Sequence, residues 1–316
     1  MVETQALTPP PLVSVLMPAF NSEAYIKEAI SSVLSQTYPH FELIILDDGS
    51  SDSTFELIMQ FQDPRIRALK HEKNQGTVAT RNELVTLARG KYIALLDNDD
   101  IARSDRLEAQ VSFLEENPID ICGSDHLTLD ETTGRIKKSK QCHNDADIRA
   151  MMTVASPLSH PSIMARASVL KNHPYEKNTD IAEDYALWLT LSLAGFHFAN
   201  LKKNLITYRI HPKQFSQSQI EKVQILLQKY QINYLRGLGI NPELIPRKLR
   251  WSLRLQIGPK FLLALNRKIP NVSFKANYQI YSRFQFRGNF LWTPLTRLER
   301  VFISMIATIV GKLATL

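Results

Sequence analysis

The chain has 316 residues, of which 44% are hydrophobic and 22% charged, so it is expected to fold and not to be disordered. Its net charge of +7 is unevenly distributed along the chain, because residues 247–300 contain twelve Lys and Arg residues and one acidic residue. Two cysteines twenty residues apart, Cys122 and Cys142, argue against a disulfide framework or a zinc site, and a cytoplasmic location is expected. Neither a signal peptide nor the roughly 20 apolar residues of a membrane-spanning helix are recognisable.

Short apolar runs alternate with segments of helical periodicity through the first 123 residues. The predicted strands cover residues 12–17, 41–46, 65–69, 91–96 and 119–123. The predicted helices follow Asn21-Ser22, start at the capping-box pair Ser53 and Glu56, and cover residues 77–88 and 103–116. This alternation predicts an α/β fold with a mostly parallel sheet between helices, and ligands bind such sheets at the carboxyl ends of the strands.

The second half of the chain is predicted to be less regular. Thr133-Gly134 indicates a hairpin, and the later predicted elements are a helix over 184–194 ending at Gly195, short strands near 196–199 and 205–209, and a helix over 217–236. Beyond about residue 245 the chain becomes basic and aromatic. We therefore expect an N-terminal tail (1–11), a main domain (12–240) and a basic, partly amphipathic helical C-terminal region (241–316).

The run Asp97-Asn98-Asp99-Asp100 ends the fourth predicted strand and is the first candidate site. Three carboxylates within four residues repel one another, and a bound divalent cation would relieve that repulsion. Carboxylate oxygens suit Mg²⁺ or Mn²⁺ better than softer metals. The run also fits an acidic turn that caps the next helix, so alone it leaves both interpretations open.

Four other polar motifs have both a functional and a structural interpretation. Asp47-Asp48-Gly49-Ser50 follows the second strand, where an acid can bind a base or ribose, but Asp-Gly is also a common turn. Arg81, one turn after Gly76, is suited to pairing with a phosphate, but it also fits an ordinary surface arginine. Glu183-Asp184 begins a helix, whose dipole stabilises carboxylates. His211 is either a metal ligand or a structural histidine.

In this order, the motifs resemble those of family 2 glycosyltransferases of the GT-A type. The matching segments are residues 13–21, 47–52, 74–76, 79–82, 97–100 and 182–188, and the resemblance spans roughly residues 12–215. It implies a GT-A, Rossmann-like, mostly parallel sheet flanked by helices.

The resemblance also implies roles for individual residues. The implied nucleotide-binding residues are Pro18, Ala19, Phe20, Asp47, Asp48, Arg81 and Asp97. The implied metal ligands are Asp99, Asp97 and His211, with Mn²⁺ or Mg²⁺ as the cofactor. Asp184 matches the family's catalytic base, and acceptor contacts are expected from residues 150–185, with His160 and Glu183 as candidates.

The resemblance implies an inverting transfer from a nucleotide-diphosphate-sugar, expected to be a UDP-sugar, to a hydroxyl of a glycan or lipid-linked acceptor in cell-surface polysaccharide synthesis. A hydroxyl is a poor nucleophile at neutral pH, so a carboxylate must take its proton as the new bond forms. The metal would stabilise the charge that develops on the leaving diphosphate.

The basic C-terminal region carries an amphipathic stripe. Its apolar residues recur at helical spacing and are Leu298, Val301, Phe302, Met305, Ile309 and Val310. Together with the upstream cations, the stripe predicts an interfacial helix on an anionic membrane, at the inner face of the plasma membrane. A helix packed on the main domain or in a homo-oligomer contact also fits. No recognition motif accompanies the charge, so nucleic acid is not expected as a partner.

Two other classes of protein are alternatives to a glycosyltransferase. A nucleotidyltransferase needs a glycine-rich loop with Lys or Arg after the first strand, and residues 18–23 contain neither. A catalytically inactive nucleotide-sugar-binding or scaffold subunit of a polysaccharide assembly complex stays open. The presence of Asp97, Asp99 and Asp184 argues against it.

Overall fold

A computed structural model describes residues 10–177, 181–212, 214, 220–244 and 251–286. The chain divides into two compact units that alternate along the sequence. The first consists of Met1–Lys140, Ser159–Asp180 and Leu201–Gln214, and the second of Gln141–Leu158, Ile181–Asn200 and Phe215–Leu316. The apolar stripe predicted over residues 298–310 lies outside the described residues.

The strands of the described part form one nine-stranded sheet. They are β1 (Val13–Ala19), β2 (Phe41–Asp47), β3 (Ile66–Lys70), β4 (Tyr92–Leu95), β5 (Ile101–Ala102), β6 (Ile121–Asp130), β7 (Arg135–Ser139), β8 (Met164–Arg166) and β9 (Phe198–Ile210). Their order is β3-β2-β1-β4-β8-β6-β9-β5, and β7 pairs with β6. The β6–β7 pair confirms the hairpin predicted at Thr133-Gly134.

The half of the sheet built from the first four strands in this order is parallel. β1 pairs with β2 and β4, and β2 pairs with β3, all in the parallel sense. All seven residues of β2 are buried, as expected for a strand covered on both faces. Because Ala19 lies opposite Asp47, the carboxyl ends of β1 and β2 meet at one edge. The predicted α/β class is confirmed, and the strands beyond β4 add antiparallel pairs.

The helices flank this sheet or build the second unit. They are α1 (Ile26–Leu34), α2 (Thr54–Ile58), α3 (Thr77–Leu87), α4 (Arg106–Glu116), α5 (Asp145–Met151), α6 (Ala167–Asn172), α7 (Glu183–Leu193), α8 (Ile220–Gly237), α9 (Trp251–Lys268) and α10 (Phe274–Phe286). Three apolar residues at helical spacing on α1 are buried, since Ile26, Ile30 and Val33 are at most 1% exposed. Each such aliphatic side chain contributes about 1.5–3 kcal/mol by leaving water.

The second unit has its own apolar core, and α9 and α10 contribute to it. Phe261, Leu265 and Ile280 are fully buried there, alongside Met151 of α5. The carboxylate of Asp147 accepts hydrogen bonds from the backbone N–H and the hydroxyl of Ser273, at 2.6 and 2.7 Å. Among the described helices, none combines the length and the hydrophobicity needed to cross a bilayer.

Two local predictions were wrong. Ser53 makes no side-chain cap at the start of α2; instead, Asp52 Oδ1 accepts from the N–H of Thr54 at 3.0 Å. An aspartate one residue earlier in the chain therefore replaces the predicted capping box. The two short strands predicted near 196–199 and 205–209 are one strand, β9. Its polar middle, Lys202-Lys203, is exposed, so those residues mark a solvent-facing stretch and not a break.

We expect Gly49→Ala to lower the free energy of unfolding by about 3 kcal/mol. Gly49 has φ +72°, and an added Cβ would lie 2.7 Å from the backbone N of Asn74 and the backbone C of Lys73. Gly134→Ala is the matched control, because Gly134 has φ +65° but nothing within 4 Å of an added Cβ. That variant should lose only about 1 kcal/mol. Urea unfolding followed by circular dichroism measures both, and equal losses would contradict the close approach at Gly49.

Candidate active site

Several predicted site residues line a cleft at the carboxyl edge of the parallel strands. The cleft is lined by Leu16, Pro18, Arg81, Leu84, Leu95, Leu96, Asp97, His160 and Tyr175. Pro18 comes from β1, Asp97 follows β4, and Arg81 lies on α3. The first unit thus brings together residues that the sequence places far apart.

The three residues predicted to line a base pocket differ in exposure. Pro18 lines the cleft, and its carbonyl oxygen accepts a hydrogen bond from Asn98 Nδ2 at 3.0 Å. Ala19 is buried, and Phe20, which follows β1, is 44% exposed. An exposed phenyl ring at a strand end offers an apolar face on which a planar base can stack.

Asp47 and Asp48 are both buried, and they hold the loop after β2 and the loop before α3. Asp47 accepts hydrogen bonds from the backbone N–H and the hydroxyl of Ser50. Asp48 Oδ1 accepts from the N–H of Gln75 at 2.8 Å, and its Oδ2 accepts from the N–H of Gly76 at 3.0 Å. Asp48 therefore fixes the loop that begins α3. Contact of either carboxylate with a base or ribose stays a prediction.

Asp97 interacts with two other predicted residues. Its Oδ1 accepts from the Arg81 guanidinium at 3.1 Å and lies 3.8 Å from His160 Nδ1. On its other side, His160 Nε2 lies 2.9 Å from the hydroxyl of Tyr175. Burial, with the positive charges of Arg81 and Arg106, holds the pKa of His160 well below its ordinary value. His160 is therefore a neutral imidazole in the wall of the cleft.

Sequence reasoning missed Tyr175, which Asn82 positions. The Asn82 side-chain amide donates to the Tyr175 carbonyl oxygen at 2.9 Å, and its oxygen accepts from the Tyr175 N–H at 2.8 Å. Asn82 belongs to a motif quoted above, but its partner is 93 residues away. No local pattern around Tyr175 indicates this pairing.

Asp99 and His211 form a carboxylate–imidazole pair. Asp99 Oδ2 lies 3.0 Å from His211 Nε2, and the Tyr25 ring lies against the imidazole with 4.6 Å between ring centroids. Both side chains of the pair are at most 16% exposed. Two residues predicted to be metal ligands, 112 positions apart along the chain, thus meet in space.

Asp100 differs from the other acids of its run. It is fully buried, and its Oδ1 accepts from the backbone N–H of Arg209 on β9 at 2.9 Å. Burial and the nearby charges of Asp99 and Asp97 raise the pKa of Asp100 well above its ordinary value. Asp100 therefore joins the loop after β4 to β9.

A buried cation, Arg106 of α4, lies behind the acidic run and was also missed. Its guanidinium donates to the carbonyl oxygens of Leu95 and Ile163 at 2.8 and 3.1 Å, and to Gln110 Oε1 at 2.9 Å. Burial lowers the pKa of Arg106 to about 10, so it stays charged at neutral pH. Within α4, its position is that of an ordinary helical residue, so the sequence does not single it out.

The Asp99–His211 pair fits a divalent cation that is also held by phosphate. In the part of the chain that the structure describes, no group of three or more His, Cys, Asp or Glu side chains is arranged to hold a metal. Mg²⁺ in proteins often takes only one or two carboxylates and completes its coordination with substrate phosphates and water. The donor set is therefore suited to a metal–diphosphate complex and not to a closed structural metal site.

Glu183 and Asp184 form the first turn of α7 in the second unit. Ala182, just before them, has φ +61°, and Glu183 is buried. Asp184 Oδ1 accepts from the N–H of Tyr185 at 2.7 Å. Carboxylates in the first turn of a helix interact favourably with the positive end of its dipole. Their roles in proton transfer and acceptor binding stay predictions.

Comparison with known proteins decides the family. Residues 14–173 match the model described as "Glycosyl transferase family 2". The chain belongs to this family. This glycosyltransferase is 35% identical over 221 residues to an uncharacterized glycosyltransferase of Methanocaldococcus jannaschii, covering 68% of this chain and 76% of the other.

A second relative has a defined donor in its name. It is the Escherichia coli UDP-Glc:alpha-D-GlcNAc-diphosphoundecaprenol beta-1,3-glucosyltransferase WfgD, 44% identical over 108 residues, which are 34% of this glycosyltransferase and 43% of WfgD. The match covers a minority of both chains. It supports the family assignment without defining the substrate of this glycosyltransferase.

Two solved structures share the fold of this glycosyltransferase. Staphylococcus aureus TarS 1–349 in complex with UDP-GlcNAc has a TM-score of 0.60 at 17% identity, covering 95% of this chain and 90% of that one. The Pyrobaculum calidifontis mannosyltransferase PcManGT, in complex with GDP-Man and Mn²⁺, has a TM-score of 0.57 at 15% identity, covering 96% and 88%. The predicted GT-A fold is thereby confirmed.

Proposed function

We propose that this glycosyltransferase moves a sugar from a nucleotide-diphosphate-sugar, expected to be a UDP-sugar, to a hydroxyl of a glycan or lipid-linked acceptor, with inversion, in cell-surface polysaccharide synthesis. The observation that carries the proposal is that two acids of the run after β4 each have a distant partner, Asp97 with Arg81 and Asp99 with His211. The name of WfgD, which includes a UDP-sugar donor and a diphosphoundecaprenol-linked acceptor, supports these donor and acceptor classes.

The donor nucleotide is proposed to occupy the cleft beside Pro18 and Arg81. The exposed Phe20 ring stacks on the base, while Asp48 or Asp47 and Asp97 contact the base or ribose. Arg81, already held by Asp97 at 3.1 Å, can donate to a phosphate oxygen as well, because a guanidinium has five N–H donors. These contacts orient the anomeric carbon before the reaction.

Asp99 and His211, with Asp97 through a metal-bound water, are proposed to hold Mn²⁺ or Mg²⁺. When bound, the metal supplies Lewis-acid stabilisation of the leaving diphosphate. The chain's own contribution is to place a carboxylate and an imidazole 3.0 Å apart, with the Tyr25 ring against the imidazole. The complex of Mn²⁺ with PcManGT supports a divalent cation in this fold.

Asp184 is proposed as the catalytic base, and His160 and Glu183 as acceptor contacts. The acceptor oxygen forms a bond to the anomeric carbon, the bond from that carbon to the diphosphate breaks, and Asp184 takes the hydroxyl proton. The proposal for Asp184 is supported by the family resemblance over residues 182–188 and by its position in the first turn of α7.

The basic C-terminal region is proposed to bring this glycosyltransferase to an anionic membrane surface on the cytoplasmic side. A lipid-linked acceptor would give that contact a purpose. The support is the charge between Arg247 and Arg300 and the apolar stripe after it. Packing of the stripe on the main domain or in a homo-oligomer contact is the alternative.

Release of nucleoside diphosphate from a panel of UDP-, GDP- and dTDP-sugars tests the proposal. With Mn²⁺ and a polyprenyl-diphosphate sugar as the acceptor, we expect one UDP-sugar to release UDP and excess EDTA to stop the release. A thermal-shift screen of the free nucleoside diphosphates measures binding separately. If nucleoside diphosphates bind but no combination of donor and acceptor gives their release, the proposed enzymatic activity is contradicted. That result would favour an inactive nucleotide-sugar-binding subunit.

A further inference from the structure

His71 follows β3 at the cleft edge of the sheet and lies between two carboxylates. Its Nδ1 is 2.7 Å from Asp48 Oδ1, and its Nε2 is 3.0 Å from Glu83 Oε2. The side chain is 15% exposed, and its backbone N–H donates to the carbonyl oxygen of Asp47 at 2.8 Å. Both ring nitrogens therefore have a carboxylate partner, and the backbone of His71 is held by its hydrogen bond to Asp47.

The two partners of His71 connect it to the elements around the cleft. Asp48 follows β2 and also accepts from the N–H groups of Gln75 and Gly76, and Gly76 immediately precedes α3. Glu83 lies on α3 itself, the helix that carries Arg81. Through these contacts, the ring joins the end of β2 to both the first turn and the middle of α3.

The geometry requires the charged form of the ring. A neutral imidazole has one N–H donor, whereas the imidazolium has two, one for each carboxylate. Burial lowers the pKa of His71, but hydrogen bonds to Asp48 and Glu83 and the charges of both carboxylates outweigh it and raise the pKa above its ordinary value. The neighbouring cation, Lys70, points instead to Asp47, with Nζ 3.7 Å from Oδ2.

The direction of the pH effect follows from the raised pKa. A group with a higher pKa in the folded than in the unfolded protein stabilises the fold fully below the unfolded pKa, and this contribution is lost as pH rises through the folded pKa. The Asp48 contact should dominate, because the Glu83 side chain is 47% exposed and its charge is screened by solvent.

We infer that His71 is a positioning residue for the nucleotide: its imidazolium links Asp48 to Glu83 and so holds loop 74–76 and α3 in the shape that the donor binds. The inference rests on the proposed function, since it assumes that the cleft takes a nucleoside diphosphate. His71 touches no reacting atom, so its effect is on donor affinity and on the order of the loop.

The test compares His71→Gln with His40→Gln in the full chain. His40 is exposed and provides only a backbone carbonyl contact, to Val13, so its variant is the matched control. Isothermal titration calorimetry measures the Kd of UDP with Mg²⁺ from about pH 6 to about pH 8.5. We expect His71→Gln to weaken UDP about fivefold at the acid end and less than about twofold at the alkaline end. The ratio to wild type removes the titration of UDP itself.

Hydrogen exchange supplies a readout that needs no ligand. The amides of Gln75 and Gly76 should exchange faster in His71→Gln than in wild type at the acid end, and at similar rates at the alkaline end. Glu83→Gln removes the more exposed partner and should give the same pattern at smaller amplitude. This second variant keeps the test decisive if His71→Gln folds poorly.

A failure of the inference about His71 and a failure of the proposed function give different results. The role of His71 is overturned if the ratio of the Kd of His71→Gln to that of wild type does not change with pH. It is also overturned if the amides of Gln75 and Gly76 exchange equally fast in all variants. In both cases UDP binding by wild type stands. A wild-type chain that binds no nucleoside diphosphate overturns the proposed function, and with it the role of His71 toward a nucleotide.

Discussion

Asp184→Asn is expected to lower kcat by about 10³-fold while changing the Kd for UDP by less than about twofold. Asparagine keeps the size of the side chain and an oxygen that can accept from the Tyr185 N–H, so the start of α7 is retained. It cannot take the proton of the acceptor hydroxyl. Steady-state release of UDP with saturating acceptor measures kcat, and calorimetry measures binding.

The matched control for this prediction is Asp145→Asn. Asp145 is also an acid in the first turn of a helix of the second unit, where its Oδ1 accepts from the N–H of Phe198 at 2.9 Å. We expect its substitution to leave kcat within about twofold, since it has no proposed part in the chemistry. A fall of less than about tenfold for Asp184→Asn would contradict its role as the base.

Asp99→Asn is expected to abolish the strengthening of UDP binding by Mn²⁺. The Kd for UDP in saturating Mn²⁺ should rise by about 10²-fold, and the Kd in EDTA should equal that of wild type. The reason is that the proposed site has few protein donors, so a neutral amide in place of the carboxylate opposite His211 removes most of its attraction for the cation. Calorimetry with and without the metal measures both constants.

Asp105→Asn serves as the control for Asp99→Asn. Asp105 is a nearby acid between β5 and α4, but its side chain is 38% exposed and pairs with Arg103. Asp105→Asn should leave the Kd for UDP unchanged both in Mn²⁺ and in EDTA. If Mn²⁺ strengthens UDP binding equally in Asp99→Asn and wild type, the metal is held elsewhere, and the assignment of the Asp99–His211 pair is wrong.

Much of the first unit could be predicted from local pattern. The apolar runs that became β1, β2, β3 and β4 were found because buried parallel strands read as short continuous apolar segments. Their carboxyl ends meet because parallel strands share a direction. Pro18, near the end of β1, and Asp97, after β4, line one cleft together with Arg81 of α3.

Contacts across long stretches of chain could not be predicted in the same way. The Asn82–Tyr175 pair spans 93 residues, and the Arg106 contact with Ile163 spans 57. Neither Tyr175 nor Arg106 belongs to a motif, since a tyrosine in an irregular segment and an arginine on a helix are both ordinary. Even a local prediction failed at Ser53, where the preceding Asp52 provides a better acceptor for the same helix end.

By itself, the sequence predicted the first four strands along the chain, the polar residues at their ends and the resemblance to the family, because these are properties of short segments read in order. Only the tertiary structure decided how each acid is used. Asp97 faces Arg81, Asp99 faces His211 112 residues later, Asp100 is buried against β9, and Asp48 holds loop 74–76. Carboxylates of one chemical kind differ in this way because burial and partners distant along the chain set the charge and the contacts of each one.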